Sequence, residues 1–325
     1  GMGNESRWEG VVGRSSTFVI LPKAMASHQA SGGGLGGEVG SECEDRDGQA
    51  RCFVVFGHSS RWSKATDQQL LDSVRQARGV HAGWRLRVYV DESVSGSVRA
   101  KLEALGAQLI DAGSMLPDSG QFTWAFWPFL AADDKDVWRF LVREAGFDVI
   151  ERESPAVREW ILSGRLLHVA RDSSLHDRPF NPRAWGCVAP CSAGIVETLG
   201  GMTKAVLSFL EKHGAAIRTD FWFGDRVVWP SFASTDKALA HDSFSCASYA
   251  CSLPFPTQRN GTGNVAQLSK SWSAISSDDV VDEAEESRQL NAIHFLEKEI
   301  AAEKPEWTCQ RAPFACRRYF SWVQG

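Results

Sequence analysis

Short apolar runs alternate with stretches of helical spacing from residue 51 onward, and this alternation constrains the fold more than any other feature of the chain. Runs of this length that end in glycine or in polar residues are typical of buried strands. Strands that alternate with helices favour an α/β fold with a doubly wound, mostly parallel sheet flanked by helices. The predicted strands are 52–56, 86–90, 108–111, 138–142 and 166–169, and the predicted helices are 67–78, 98–105, 154–162 and 198–213.

One of these helices has a clear start signal in the sequence. Ser154 is a favourable N-cap residue, because its hydroxyl accepts a bond from an amide of the first turn. Pro155 fits the first helical position, where no amide hydrogen is needed. We therefore expect this helix to begin at Pro155.

The composition is that of a folded globular protein. The 325 residues are 43% hydrophobic and 23% charged, with a formal net charge of −5, which excludes a disordered chain. No basic stripe stands out to neutralise phosphates, so no nucleic-acid partner is expected. No apolar run approaches the roughly 18–20 residues of a membrane helix. Cytoplasmic location is the default expectation, and the secretory pathway stays open if an N-terminal signal was removed.

Composition changes along the chain predict three parts. The glycine-rich residues 31–37 and the charged residues 42–47 predict a flexible N-terminal extension over 1–50. The α/β domain spans 51–270. Residues 271–325 predict a C-terminal helical extension, since apolar residues recur at helical spacing among charged ones. That helix packs on the domain or on a partner, and a homo-oligomer formed through it is one arrangement that we consider.

The eight cysteines leave three alternatives open. Six of them form close pairs, Cys187 with Cys191, Cys246 with Cys251, and Cys309 with Cys316. Their spacings do not repeat a zinc-finger or ribbon pattern. Free thiols, some of them buried as small apolar side chains, and disulfides formed in an oxidising compartment are the other two alternatives.

Several short segments occur in an order that points to one family. They include Trp138-Arg139-Phe140 and His241-Asp242-Ser243. The full set covers 83–92, 138–140, 151–153, 156–160, 168–172, 176, 185–186, 220, 229–230, 241–243 and 254–259. In this order they resemble the segments of GT-A type nucleotide-sugar glycosyltransferases. The resemblance covers roughly residues 52–265 and implies the GT-A fold, a nucleotide-sugar donor and a divalent cation.

This chain departs from the family pattern at the residues that carry the family's catalytic chemistry. The family's metal-binding Asp-x-Asp corresponds to Glu144-Ala145-Gly146, so the first carboxylate is kept as Glu and the second is absent. In the family these carboxylates hold Mn²⁺ or Mg²⁺, which bridges the diphosphate and acts as a Lewis acid for the departing nucleotide. A glycine-rich segment is changed as well, with Pro182 and Arg183 in place of glycines.

The resemblance implies three groups of site residues in this chain. The catalytic candidates are Asp220, Asp172 and His176. The donor-binding candidates are Arg143, Arg171, Trp185 and Gly186. The candidate metal ligands, for Mn²⁺ or Mg²⁺, are Glu144, Asp148 and His241.

Residue chemistry supports these candidates and also leaves structural roles open. An arginine at a strand end can neutralise a diphosphate, and an indole can stack on a sugar or base. An imidazole binds a metal or phosphate oxygens near neutral pH. The same residues can instead be structural: Arg171 and Asp172 as an ion pair that braces a loop, His241 as a cap beside Asp242, and Trp185 as a core residue.

Two functions follow from the resemblance. The first is a glycosyltransferase that moves a sugar from a nucleotide-sugar donor to a glycan, protein or small-molecule acceptor, with a base such as Asp220 on an inverting path. The second is a catalytically inactive relative that keeps the scaffold as a nucleotide- or sugar-binding or interaction module. The loss of the second carboxylate at Gly146 motivates the second.

Overall fold

The computed structural model describes residues 51–172, 176, 178–243, 249, 251–257, 265 and 267–268. The predicted extensions over 1–50 and 271–325 lie outside the described residues. Ten strands are present in the described part: β1 Cys52–His58, β2 Arg85–Val90, β3 Ala107–Asp111, β4 Arg139–Arg143, β5 Phe147–Asp148, β6 Leu167–Arg171, β7 Ala184–Val188, β8 Ala238–Asp242, β9 Ser252–Leu253 and β10 Gln267–Leu268.

Eight of these strands form one mixed sheet in the order β3-β2-β1-β4-β7-β6-β8-β9. Only β7 runs antiparallel to its neighbours β4 and β6 in this sheet, and the other paired strands are parallel. A separate antiparallel pair joins β5 to β10. The predicted α/β class, with a doubly wound and mostly parallel sheet flanked by helices, is therefore confirmed.

Helices cover both faces of the sheet. They are α1 Asp67–Val80, α2 Gly96–Ala104, a 3₁₀ helix Thr123–Asp133, α3 Glu153–Ser163, α4 Gly194–Thr198, α5 Met202–His213, α6 Thr219–Phe223 and α7 Trp229–Ala233, with a π-helical turn Gly224–Val228 between α6 and α7. No helix among the described residues combines the length and the apolar character that a bilayer-spanning segment needs.

Two helix starts differ from the sequence prediction. The predicted helix 198–213 is split, because Gly200 and Gly201 have φ values of 85° and 114° and end α4 before α5 begins. Helix α3 begins at Glu153, with Arg152 rather than Ser154 at the N-cap. The Glu153 amide bonds to the carbonyl of Ile150, which starts the helix two residues before the predicted position.

The sheet separates two apolar cores. In β1 successive side chains alternate between them, so that Phe53 and Val55 join one core and Val54 and Phe56 join the other. The first core packs against the 3₁₀ helix, α5 and α7, and the second packs against α1, α2 and α3. Because both faces are covered, β1 is a continuous apolar run rather than an alternating one.

One of the cysteine pairs is resolved by the structure. Cys187 at the end of β7 and Cys191 form a disulfide bond, and both are fully buried. Cys246, Cys309 and Cys316 lie outside the described residues, so the other two pairs are not tested.

Candidate functional site

The strand order places a crevice at the carboxyl ends of β1 and β4. From β1 the chain passes to β2 on one side, whereas β4 pairs with β1 on its other side. Such a reversal of strand order leaves room between the connecting loops, and open α/β sheets bind their ligands there. The loops that follow β1, β2 and β4 therefore define where a site has to lie.

Hydroxyl groups tie the loop after β1 to the end of β2. The Ser59 hydroxyl donates to Oδ2 of Asp91 over 2.7 Å, and the Ser93 hydroxyl donates to the same carboxylate. The Arg61 amide donates to Oγ of Ser93 over 3.2 Å. These bonds hold the loop in place while leaving the Arg61 side chain outside the core.

The same loop combines a buried histidine with an exposed aromatic side chain. His58 is fully buried at the end of β1, and its Nε2 lies 3.0 Å from Oδ1 of Asp67. Burial lowers the pKa of His58, and Asp67 opposes that shift. Trp62 is 47% exposed, with the Arg61 guanidinium 5.9 Å from its ring centroid. We did not predict these residues as a site, although polar residues at the end of the first strand are the signal that points to them.

Three charged side chains meet at the end of β4, and we call Glu144, Arg183 and Asp220 the Glu144 cluster. Nε of Arg183 lies 2.6 Å from Oε2 of Glu144. The charge of Glu144 acts on Asp220, which lies in the first turn of α6 and is half-buried. The Glu144 and Arg183 side chains remain 29% and 37% exposed, so a ligand can reach the cluster.

The cluster shifts the titration of both carboxyl groups. Burial, and after it the neighbouring Glu144 charge, raise the pKa of Asp220 to about 7, while Arg183 opposes the shift. Burial also raises the pKa of Glu144, again against the effect of Arg183. A carboxyl group whose pKa lies near neutrality can accept and release a proton at physiological pH, which is what a general base requires.

The Arg183 guanidinium is held by two aromatic rings. It lies 4.8 Å from the ring centroid of Phe147 and 5.2 Å from that of Phe221. Its amide donates to Oδ1 of Asn181 over 3.2 Å, and the Asn181 side chain donates to the carbonyl of Ala170 over 2.7 Å. Arg183 is therefore a fixed positive charge. We saw it in the sequence as a replaced glycine, but its partners are not readable from sequence spacing.

His176 lies close enough to Arg183 for the charge of that guanidinium to affect the pKa of the imidazole. Burial lowers its pKa to about 4, and the charge of Arg183 contributes in the same direction. Nδ1 of His176 accepts a bond from the Asp172 amide over 3.2 Å. The ring is therefore neutral at physiological pH with its proton on Nε2, and it offers a hydrogen-bond donor rather than a titrating acid.

Arg143 lies in a buried network, in which one of its terminal nitrogens has no hydrogen-bond partner among the described residues. Its guanidinium donates to Oε2 of Glu153, whose other neighbour is Nε2 of His81 at 3.4 Å. We call Arg143, Glu153 and His81 the Glu153 network; each is at most 4% exposed. Arg143 follows Leu141 on the side of the sheet that α3 covers. The structure therefore gives Arg143 an ion-pair role, and its binding of a donor diphosphate stays a prediction.

Arg171 is also enclosed. It donates to Asp242 and to Ser252, both over 2.6 Å. Its guanidinium packs against the rings of Trp229 and Tyr249, at 5.3 Å and 4.8 Å from their centroids. With no exposed surface, Arg171 braces strands β6, β8 and β9, and its role in donor binding stays a prediction.

The carboxylate of Asp172 joins segments of the chain that are distant in sequence. Its carboxylate accepts bonds from Arg152 over 3.0 Å, from the Ser243 hydroxyl, and from the amide of Val265 over 3.0 Å. The side chain is fully buried. A carboxylate that is enclosed by these donors has a structural role, and the catalytic role of Asp172 stays a prediction.

Trp185 and Gly186 belong to the interior of β7. Trp185 is fully buried and lies 4.9 Å from the ring of Phe129 and 5.1 Å from that of Phe140. A Cβ atom on Gly186 would lie 2.7 Å from the carbonyl oxygen of Phe140 and 2.8 Å from Leu141. Tight packing explains the indole and the glycine at these positions, and donor contact by Trp185 and Gly186 stays a prediction.

His241 lies between two titratable side chains. It is fully buried, with Nδ1 2.8 Å from Nε2 of His168 and Nε2 3.0 Å from Oε2 of Glu159. Both ring nitrogens are therefore engaged. Since Glu159 accepts the proton on Nε2, Nδ1 accepts a bond from His168. The role of His241 as a metal ligand stays a prediction, and it would require these contacts to be replaced.

The other two candidate ligands do not complete a metal site either. Oδ1 of Asp148 accepts a bond from the Gln76 side chain over 3.1 Å, and Glu144 is paired with Arg183. Among the described residues, no group of three or more His, Cys, Asp or Glu side chains is arranged to hold a metal ion. The residues expected from the family therefore do not fit the divalent cation that the family uses.

Comparisons with known proteins find likeness only among solved structures. No family model and no curated protein matches the chain. One similar structure is the 4-diphosphocytidyl-2C-methyl-D-erythritol synthase of Anaerococcus prevotii, with 10% identity, coverage of 58% of this chain and 86% of that chain, and a TM-score of 0.34. Another is core-mannan synthase A of Aspergillus fumigatus in its Mn/GDP form, with 8% identity, coverage of 67% and 81%, and a TM-score of 0.36.

A third similar structure is the glucosyl-3-phosphoglycerate synthase of Mycobacterium tuberculosis in complex with Mn²⁺, UDP and phosphoglyceric acid. It shows 12% identity, covers 50% of this chain and 65% of that chain, and has a TM-score of 0.31. Because these TM-scores lie below 0.5, the likenesses carry no weight for activity. The fold class rests on the sheet itself.

Proposed function

We propose that this protein is a GT-A-like glycosyltransferase that uses a nucleotide-sugar donor and the Glu144 cluster as its working site. The observation that carries the proposal is the carboxyl group of Asp220, whose pKa of about 7 is set by burial and by Glu144. This group lies in α6, close enough to Glu144 for the charge of that residue to act on it, and Glu144 follows β4 at the edge of the sheet where ligands of α/β folds bind. The order of family-like segments in the sequence supports the donor class.

Asp220 is suited to the proton transfer of an inverting reaction. Its carboxylate removes the proton from an acceptor hydroxyl as the hydroxyl oxygen bonds to the anomeric carbon of the donor sugar. The bond between that carbon and the phosphate oxygen breaks, and the nucleoside diphosphate leaves with the bonding electrons. Glu144 keeps the pKa of Asp220 high enough for this exchange near neutral pH.

Donor binding is assigned to the loops around the crevice. Arg183 supplies a positive charge for the diphosphate, since a guanidinium binds phosphate oxygens with paired hydrogen bonds. The loop after β1 supplies Arg61 and the exposed Trp62, and an indole can stack on a flat base or a sugar face. His176 supplies a neutral N–H group. The acceptor is a hydroxyl-bearing glycan, protein or small molecule.

A second candidate function is a binding module without transfer. The observation that favours it is the ion pair between Arg183 and Glu144, which occupies the carboxylate that the family gives to its metal ion. In this case the nucleotide or nucleotide sugar binds, but no sugar is transferred.

The test is to incubate the protein with a panel of UDP- and GDP-sugars, with and without Mn²⁺, and to follow release of nucleoside diphosphate by chromatography. The glycosyltransferase proposal predicts release from one donor, and loss of that release in Asp220→Ala. Saturable binding without release supports the binding module. Neither binding nor release with any member of the panel contradicts both functions.

A further inference from the structure

We propose that Arg183 replaces the divalent cation of this site, so that the protein binds the diphosphate of its ligand without a metal ion. This inference deepens the proposed function and rests on it for the class of ligand. It concerns a residue that the family pattern does not use, because glycine is expected at this position.

The first argument is that Glu144 is already paired with Arg183. In the family pattern the first carboxylate of the Asp-x-Asp motif faces the cation. In this chain Glu144 is the one carboxylate of that motif that is kept. Nε of Arg183 already lies 2.6 Å from Oε2 of Glu144. A cation at Glu144 would have to displace a guanidinium that carries its own positive charge. The pair therefore has the charge arrangement of a carboxylate with its metal, with the guanidinium as the cation.

The second argument is that the remaining expected ligands do not converge on Glu144. Gly146 has no side chain, and its amide donates to the Ser73 hydroxyl over 3.1 Å. Asp148 is bound by Gln76, and His241 is buried between His168 and Glu159. A hard dication needs several oxygen ligands in one shell, and a lone carboxylate is a poor substitute for that shell.

The third argument is that Arg183 is built as a central fixed charge. The Phe147 and Phe221 rings hold the guanidinium, which limits the conformational entropy lost when it binds an anion. Its charge acts on three titratable groups at once, namely Glu144, Asp220 and His176. The side chain still keeps 37% exposure, and its Nε lies in the ion pair with Glu144 but makes no hydrogen bond to the described residues, so a diphosphate can bind the guanidinium.

The experiment is isothermal titration of UDP and GDP into the wild-type protein in EDTA and, separately, in Mn²⁺ or Mg²⁺. We expect the Kd of the bound nucleotide to differ by less than about threefold between EDTA and metal, because the cation that meets the phosphates belongs to the chain. Strict dependence of binding on the metal would overturn the inference. This comparison needs no variant, so it does not depend on whether a substituted protein folds.

Two variants assign the effect to Arg183. In EDTA, Arg183→Ala is expected to weaken nucleotide binding about 10- to 100-fold, the range for hydrogen bonds to charged groups. Arg165→Ala is the matched control: its side chain is 30% exposed and pairs with Asp236 at 2.6 Å, before β6 begins. We expect it to bind like the wild type. Equal binding by Arg183→Ala and wild type would contradict the inference.

Failure of this inference differs from failure of the proposed function. If UDP and GDP bind only with metal, the proposal that Arg183 replaces the cation is contradicted. The proposal that the protein is a glycosyltransferase is then unaffected. If neither nucleotide nor any nucleotide sugar binds in EDTA or in metal, both fall together.

Discussion

Two charged groups lie at the end of β4, one on each side of the sheet, and they behave in opposite ways. In the Glu153 network, burial by itself would raise the pKa of Glu153, but Arg143 and His81 outweigh burial and lower it. In the Glu144 cluster, burial outweighs Arg183, and the pKa of Glu144 is raised. Each glutamate has an arginine partner, yet the two titrate in opposite directions.

The difference lies in how many hydrogen-bond and ion-pair partners surround each carboxylate. Glu153 has a guanidinium, an imidazole and the Ile150 amide around it, all away from water. Glu144 has one arginine, and Asp220 adds a second negative charge close by. A satisfied network stabilises the fold, whereas an unbalanced and accessible cluster is able to exchange protons and bind ligands.

The largest expected effect is on catalysis. Asp220→Asn removes the general base while keeping the shape of the side chain, so the rate of nucleoside diphosphate release should fall about 10²- to 10⁴-fold. Release from the preferred nucleotide sugar at pH 8 measures it. The free energy of unfolding should not fall in the same variant. A variant that unfolds more easily but keeps its rate would place Asp220 with the structural residues instead.

The next effect is on stability and tests the other side of the sheet. Arg143→Met leaves Glu153 as a buried charge that His81 alone compensates, which should cost about 3–5 kcal/mol of unfolding free energy. Urea unfolding followed by circular dichroism measures it. The double variant Arg143→Met with Glu153→Leu is the control, and it should recover much of the loss. A small loss in Arg143→Met would mean that the network is not closed.

A smaller effect separates packing from ligand contact in β7. Gly186→Ala forces a Cβ atom against the Phe140 carbonyl and Leu141, and this overpacking should cost about 1–3 kcal/mol. The matched control is Gly79→Ala in α1, where a Cβ atom meets nothing within 4 Å and alanine should be neutral or stabilising by about 0.5 kcal/mol. Thermal unfolding of the two variants compares them. Equal stability of both would contradict the packing interpretation of Gly186.

The smallest effect is a pH-dependent gain in stability. The pKa of Asp220 is raised from its ordinary 3.8 to about 7 in the folded protein. The folded state therefore binds this proton more tightly, and the group destabilises the fold progressively as pH rises from about 4 to about 7. Asp220→Asn removes this penalty and should raise the Tm by a few degrees at pH 8 but not at pH 4. A Tm gain that is the same at both pH values would show that Asp220 does not have a raised pKa.

The sequence predicts the fold well and the site in part, and the reasons differ from residue to residue. Apolar runs and strand-end residues locate β1, β2, β3, β4 and β6 within a few positions, because burial on both faces produces continuous apolar runs. Asp220, Glu144 and His176 are predicted site residues that the structure brings near Arg183.

The structure gives other candidate residues structural partners that the sequence does not show, because strand ends have two sides. Arg143 and Glu144 are neighbours in sequence, and only the position of α3, which covers Arg143, decides which of them faces a ligand. Arg171, Asp172 and His241 carry suitable chemistry, but their partners come from segments tens of residues away. Sequence spacing does not encode such pairings.

The pH dependence of nucleoside diphosphate release, measured in the wild type and in Asp220→Asn, tests most directly that the Glu144 cluster is the working site. The rate of the wild type should rise with pH through about 7, as Asp220 loses its proton. The residual rate of Asp220→Asn should show no inflection there. An inflection near pH 7 that persists in Asp220→Asn would contradict the account and place the base elsewhere.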